Sequence, residues 1–290
     1  MEPLTNEVLE TVGQAAARDG LVVALTGAGI SAESGIPTFR GAEGWWTVGS
    51  VRYTPEDLAT RATFGHAPEA VWSWYLHRLA HVRAAEPNPA HRALVEIEAA
   101  LEDRFLLVTQ NVDGLHRRAG SARMYEIHGS LDFVRCADAC TPELRPLPRA
   151  LGAQPPEGAE PPEGELAPAD RAALACPACG AWLRPHVLWF DEAYDEDHFR
   201  FDSTLAAAGQ ASLLLVVGTS GATTLPALVA RTAASAGATL VDVNPEDNPF
   251  AKAALDTGGV AIRASASAAV PALVDPIASR GRPSGPEGDA

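Results

Sequence analysis

Basic charge is scarce in this sequence. Lysine and arginine together number 22 against 37 aspartates and glutamates, a formal charge of −15, and Lys252 is the only lysine. A chain this acidic lacks the electrostatic footprint of a nucleic-acid binder; its surface favours solubility and, mildly, basic protein partners. No run of about 18 apolar residues is present, so no membrane span is predicted. The opening Met1-Glu2-Pro3-Leu4 has neither the basic start nor the apolar core of a secretory signal, and the expectation is a cytoplasmic protein. Internal repeats are missing too. At 290 residues the chain is long enough for one large domain or two unequal ones.

What is present begins with an apolar β-type run, Leu21 to Thr26, that leads into Gly27-Ala28-Gly29-Ile30-Ser31-Ala32. Gly27, Gly29 and Ala32 fit the G-x-G-x-x-G/A fingerprint, in which a tight turn brings backbone amides and a helix N-terminus up to a pyrophosphate. The same residues also suit an ordinary strand-to-helix turn. Before it, Thr5 to Gly20 reads as a helix capped by Thr5, with Val8, Leu9 and Val12 on one face. Gly41 to Thr63 has no clean period, and its adjacent Trp45 and Trp46 suit core anchors.

A stronger helix is predicted from Pro68 to Ala84, with Val71, Tyr75, Leu79 and Val82 along one stripe. Asn88-Pro89 caps and starts another, burying Leu94, Ile97 and Leu101. Further strands are expected at Phe105–Val108, Val187–Phe190, Leu213–Val217, Ala238–Val243 and Val260–Ile262, the last of the series. A short helix capped by Asp113 should stop near Gly120, and one starting around Thr224 to Pro226 should end near Gly237. Alternating strands and helices imply an α/β fold, a Rossmann-like, mostly parallel sheet with helices on both faces. The expected division is a dinucleotide-binding domain from 1–40, 86–130 and 187–280, and a smaller lobe from 41–85 and 131–186. Proline- and glutamate-rich residues 151–170 read as a flexible excursion and 281–290 as a disordered tail.

Cys136, Cys140, Cys176 and Cys179 form C-x3-C and C-x2-C pairs. Two such knuckles can complete a tetrahedral four-sulfur zinc site with no open position, so a structural one. Two disulfides or separate buried thiols are the alternatives, and a cytoplasmic location disfavours the first.

The stretch Gly27 to Gly41 as a whole resembles the signature of the sirtuins, NAD-dependent protein-lysine deacylases. The resemblance returns, in the family's order, at Thr109-Gln110-Asn111-Val112-Asp113-Gly114-Leu115-His116, at Glu126-Ile127-His128-Gly129-Ser130, at the four cysteines, at Leu183 to Phe190, at Gly218-Thr219-Ser220 and at Val243-Asn244. It implies that the cysteines hold one zinc ion and that residues 41–63 include a loop that orders over the cofactor, with Trp46 among the contacts. It also implies that NAD is consumed. The acyl-lysine carbonyl oxygen attacks C1′ of the nicotinamide ribose, nicotinamide leaves, and His128 as general base activates a ribose hydroxyl against the alkylimidate formed. Water completes the release of lysine and acyl-ADP-ribose. Histidine suits the step because its ordinary pKa of about 6.5 allows proton removal near neutral pH.

By motif position, Gly27, Ala28, Gly29, Ile30 and Ser31 would cradle the diphosphate with Arg40. Thr38 and Phe39 would lie by the ribose, with Phe39 covering its face. Gln110 and Asn111 would place ribose hydroxyls and water, and Asp113 would receive the nicotinamide amide. Gly218, Thr219 and Ser220 would meet phosphate or ribose, Asn244 the adenosine ribose, and Ser265 would stand at the adenine end. Thr38 together with Tyr75-Leu76-His77-Arg78 resembles the desuccinylase branch, in which a Tyr-x-x-Arg pair binds the acyl carboxylate. Residues three apart share a helix face, and arginine offers a two-pronged fork. The other reading puts Tyr75 in the core stripe and Arg78 in solvent. One departure stands out: the family's Phe-Gly-Glu is Phe190-Asp191-Glu192 here, with a charge where a substrate backbone comes close.

The expected partners are acylated-lysine proteins or peptides, with no nucleic acid and no membrane, and the expected state is a monomer. An NAD hydrolase or mono-ADP-ribosyltransferase on the same scaffold is the nearest alternative. A dehydrogenase and a non-catalytic NAD sensor are more distant ones.

Overall fold

The computed structural model describes residues 4–36, 46–48, 51–151 and 166–281. Thr38, Phe39 and Arg40 therefore lie outside the described residues, as does the side chain of Trp46. Most of the expected excursion (152–165) and of the expected tail (282–290) lies outside them too.

In chain order the elements are α1 (Asn6–Ala17), β1 (Leu21–Thr26), β2 (Trp46–Val48), β3 (Val51–Tyr53), α2 (Pro55–Leu58), α3 (Arg61–His66), α4 (Pro68–Ala84), α5 (Pro89–Leu101) and β4 (Phe105–Thr109). There follow α6 (Leu115–Ala119), β5 (Met124–Glu126), β6 (Gly129–Cys136), β7 (Arg145–Pro146), α7 (Pro168–Ala173), β8 (Leu183–Val187), α8 (Glu196–Phe199) and α9 (Phe201–Gly209). The chain continues through β9 (Ala211–Val217), α10 (Thr224–Ser235), β10 (Thr239–Val243), α11 (Pro249–Asp256), β11 (Val260–Ile262), α12 (Ala266–Ala269) and α13 (Val274–Gly281).

The main sheet has the order β11-β10-β9-β1-β4-β5, and every pairing in it is parallel. Counted within the sheet this is 6-5-4-1-2-3, the doubly wound order whose direction reverses between β1 and β9. The period-two alternation of strand side chains explains its two cores. Val22, Ala24, Leu213, Leu215 and Val217 pack on one face against α1, α5 and α13, and Val23, Leu25, Leu214 and Val216 on the other against α9 and α10.

Two helix starts behave as their sequences predict. Thr5 accepts from the Val8 amide at 3.3 Å, and Asn88 Oδ1 accepts from the Ala90 and His91 amides. A third apolar cluster lies apart from the sheet. Leu58, Phe64, Trp72, Tyr75 and Leu79 meet Trp189 and the Leu131, Val134 and Leu183 side chains of a small antiparallel sheet ordered β7-β6-β8. Trp72 and Trp74 are buried alongside Tyr75, so α4 is apolar around most of its circumference rather than along one stripe.

The structure corrects several sequence expectations. The strand expected at Val187–Phe190 is β8, at Leu183–Val187, because Trp189 turns into the small core and Glu192 braces the exit. Glu192 takes a two-pronged pair from the buried Arg184 and the Trp189 amide at 3.1 Å, while the Arg184 guanidinium lies 3.4 Å over the Trp189 ring. Residues 168–170, expected in the excursion, open α7. The chain also adds β5 at a sheet edge and ends in α12 and α13, where Val270, Leu273 and Ile277 close the core beneath α1 and α5.

Candidate active site

The carboxyl ends of β1, β4, β9 and β10 converge where the strand order reverses, and the motif residues gather there. The turn after β1 is two short 3₁₀ turns, Ala28–Ile30 and Ala32–Ser34, instead of the expected helix N-terminus. Its glycines answer to packing. A Cβ at Gly29 would stand 2.7 Å from the Gly218 Cα, and one at Gly218 only 2.4 Å from the Ile30 nitrogen. The two turns touch backbone to backbone, with the Gly29 amide donating to the Gly218 carbonyl at 2.8 Å and the Gly27 amide to Val217 at 3.0 Å. Only residues without side chains allow that approach, and Gly218 also needs its left-handed φ of 62°.

Polar side chains fill the floor. The Ser31 hydroxyl donates to Asp113 Oδ2 at 2.7 Å, and Asn111 Nδ2 donates to the Ser31 hydroxyl and the Gly27 carbonyl, each at 3.1 Å. Asp113 Oδ1 takes the Leu115 amide at 2.8 Å, so the helix cap and the candidate ligand are one carboxylate; burial raises its pKa. Gln110 donates to Thr219 Oγ1 at 2.9 Å and accepts from Thr223 at 3.0 Å, and Asn244 donates to the Thr219 carbonyl at 3.1 Å. Ser31, Asn111 and Asp113 thus form one bonded set and Gln110, Thr219 and Asn244 another, joined along the chain by the consecutive Gln110 and Asn111. Ser265 is farther along it, its hydroxyl on Glu33 Oε1 at 3.0 Å; Glu33 also takes the Ser267 amide.

His128 sits between β5 and β6, half-buried. Burial lowers its pKa to about 4, so the ring is neutral through the physiological range. The Gln110 main chain acts the other way and raises it. A neutral imidazole carries one proton and keeps one lone pair, so the ring can accept a proton.

Beneath the floor lies a second histidine pair that the sequence did not signal as one unit. His91 and His116 have ring centroids 4.7 Å apart. The Asn88 amide donates to His91 Nδ1, and Thr26, whose own proton goes to Thr109, accepts from His116 Nε2 at 3.0 Å. Burial lowers the first pKa to about 4 and the second well below the ordinary histidine value. The unfolded chain takes these protons near pH 6.5, whereas the folded chain takes that of His91 only near 4 and that of His116 well below the ordinary value. Their contribution is therefore constant above about pH 6.5, and stability falls below it by about 1.4 kcal/mol per pH unit per group. Unfolding free energies measured from pH 8 to 5 should be flat and then decline, with a shallower decline in His91→Gln. An equal slope in that variant would show that His91 does not take up the proton.

The small lobe holds the two remaining constellations. Tyr75 is buried, accepts from Trp189 Nε1 at 2.9 Å and keeps its own proton to donate; burial pushes its pKa up to about 12. Arg78, one turn on and half-buried, lies 5.2 Å over the Trp74 ring. Asp191, the residue that replaces the family's glycine, directs its carboxylate to the Arg61 and Ala62 amides at 2.7 and 3.0 Å. It caps α3, so its charge is held by a helix start.

The four cysteine sulfurs lie within 4.8 Å of one another, with Cys136–Cys179 and Cys140–Cys176 both at 3.6 Å. A disulfide needs about 2.05 Å. Sulfurs on a tetrahedral zinc at about 2.3 Å stand about 3.8 Å apart, which is the spacing here. The donors are four cysteine sulfurs, the set that zinc binds as thiolates, and the geometry fits the ion.

A model described as the Sir2 family matches residues 27–224 of the chain. A protein of Thermus thermophilus named NAD-dependent protein deacylase is 46% identical over 245 residues, 82% of this chain and 86% of the relative. One of the same name from Leptospira interrogans is 41% identical over 229 residues, covering 79% and 83%. Among solved structures, a Sir2 homologue in complex with NAD superposes with a TM-score of 0.75 at 34% identity, covering 96% of this chain and 95% of the other. A Sir2–p53 peptide–NAD+ complex gives 0.67 at 25% identity, covering 89% and 93%.

Proposed function

The chain belongs to the Sir2 family, and from that membership we propose that it is an NAD-dependent protein-lysine deacylase whose preferred acyl groups end in a carboxylate, succinyl or malonyl, with acetyl also accepted. The observation that carries the reaction type is the bonded floor of Ser31, Asn111, Gln110, Asp113 and Thr219, with neutral His128 at its edge. Groups already bonded in place need no reorganisation when a dinucleotide arrives. Gln110 and Asn111 orient ribose hydroxyls, Asp113 holds the nicotinamide amide, and Nε2 of His128 takes the proton of the attacking hydroxyl. Gly27 to Ser31, with Arg40, meet the diphosphate; Gly218, Ser220, Asn244 and Ser265 serve the phosphate and adenosine side. The four cysteines hold structural zinc, which supplies no chemistry to the reaction.

The acyl preference rests on Tyr75 and Arg78. Both face the same part of the small lobe, one with a phenolic proton to give and the other a guanidinium whose pKa burial lowers. A carboxylate arriving there meets a partly desolvated cation, where truncating one partner costs about 2–5 kcal/mol. In Arg78→Ala, kcat/KM for a succinyl peptide should fall by roughly 30-fold or more, and for an acetyl peptide far less. Equal losses on the two peptides would defeat the assignment.

The function itself is tested with matched acetyl, malonyl and succinyl peptides plus NAD, followed by mass spectrometry of the acyl-ADP-ribose product. Rapid nicotinamide release with NAD alone and no acyl transfer would favour a hydrolase instead.

A further inference from the structure

The residues after β8 run past His128 twice. The Leu188 amide donates to the His128 carbonyl at 2.9 Å. Six residues on, the Tyr194 hydroxyl reaches His128 Nε2 at 2.8 Å, with the two ring centroids 5.8 Å apart. Tyr194 itself is fixed from behind, its ring 6.2 Å from that of Phe201 at the start of α9. No sequence period marks this tyrosine; it stands in an irregular stretch between Glu192 and the cap of α8.

Direction follows from the partners. A phenol that keeps its proton can donate it, and a neutral imidazole has one nitrogen able to accept; with the phenol donating, that nitrogen is Nε2 and the ring proton is on Nδ1. We propose that Tyr194 is a positioning residue for the reaction: its hydroxyl holds the Nε2 lone pair of His128 and thereby fixes ring orientation and proton position. It then yields that lone pair when the ribose hydroxyl arrives. The inference rests on the deacylase reading only for its second half, because the hydrogen bond exists without substrate. Burial pushes the phenol up to about 12, which keeps it a donor at any working pH; the Thr223 hydroxyl and the Leu225 amide at the start of α10 act weakly the other way.

Each element packed around the imidazole contributes a neutral group. Gln110 follows β4, Tyr194 comes from the segment before α8, and behind the Tyr194 hydroxyl stand Thr223 and Leu225 at the start of α10. Among the described residues no carboxylate or guanidinium shifts the ring. A donor on Nε2 therefore stabilises neutral imidazole, and losing it makes protonation easier.

The variant is Tyr194→Phe, which keeps the ring that packs on Phe201 and removes one oxygen. At neutral pH, nitrogen-15 spectra of the ligand-free protein should show the His128 Nε2 resonance moving toward the position of an unbonded lone pair. The acid limb of kcat/KM, which reports free enzyme, should move up by about half to one pH unit. The limb of kcat, which reports the complex in which the hydroxyl has already withdrawn, should stay in place. An unchanged Nε2 resonance, or a kcat/KM limb that does not move up, overturns the hydrogen-bonding role. A kcat limb that moves equally overturns the yielding step. Wild-type protein with no deacylase turnover would fail the functional reading, while the Nε2 resonance would still report on the bond.

Discussion

Changing His128 to alanine lowers deacylation turnover by about 10²–10⁴-fold, the usual contribution of a positioned general base. The loss is expected in kcat, because in the proposed role the imidazole acts on a hydroxyl that becomes a nucleophile only after nicotinamide has left. Release of nicotinamide precedes that proton transfer. Exchange of labelled nicotinamide into NAD, in the presence of acyl peptide, should therefore survive better than turnover. Alanine also strips a partner from the Tyr194 hydroxyl. Leaving buried polar groups unpaired costs about 1–3 kcal/mol, so the melting point falls modestly without loss of the fold. A variant with full turnover would remove His128 from the mechanism. A variant that loses exchange and turnover equally would place it in the first step, at nicotinamide departure.

Why this histidine could be singled out from eight, while Tyr194 could not, follows from how each is positioned. His128 stands in a contiguous motif, and the strands around it are apolar runs that a linear reading finds: Phe105 to Val108, Leu213 to Val217 and Thr239 to Val243 all sit in the sheet. Helix caps are equally local, and Thr5 and Asn88 do what their identities suggest. Tyr194 gains its role only from tertiary approach, 66 residues along the chain from its partner. The same is true of Asp191, which reads as an obstacle to a substrate backbone until the start of α3 is seen to receive it. The glycines were legible as necessary, though one of the reasons for them was not. The sequence suggests a phosphate, whereas Gly29 and Gly218 are first required by each other. Short elements escaped as well. β5 has three residues, too few for a period, and the eight residues of α13 are amphipathic but find their partners only in α1 and α5, which precede it by some 170 residues or more.

Removing the metal from the cysteine cluster is expected to have the largest effect on stability. Cys136 ends β6, and Cys176 and Cys179 occupy the tight turn that returns through the Ala175–Trp182 bridge into β8. The sulfurs therefore tie together one end of the β6–β8 pair, whose other end, Gly129 against Val187, adjoins His128. Cys136, Cys176, Leu174 and Leu183 also belong to the small apolar cluster, so the tie and the packing support each other. Without the ion, four thiolates within 4.8 Å would repel, and protonating them restores neutrality but no bond. Structural zinc sites contribute on the order of 10 kcal/mol or more in isolated modules, more than a small lobe of this kind holds in reserve. Purified protein should contain close to one zinc per chain. Chelation, or Cys176→Ser, should lower the melting point sharply and abolish turnover together, since β6 and β8 carry the segments on both sides of the imidazole. Folded, active protein carrying no zinc would overturn the assignment. Retention of turnover after the small lobe has melted would break the proposed link between the metal and the position of His128.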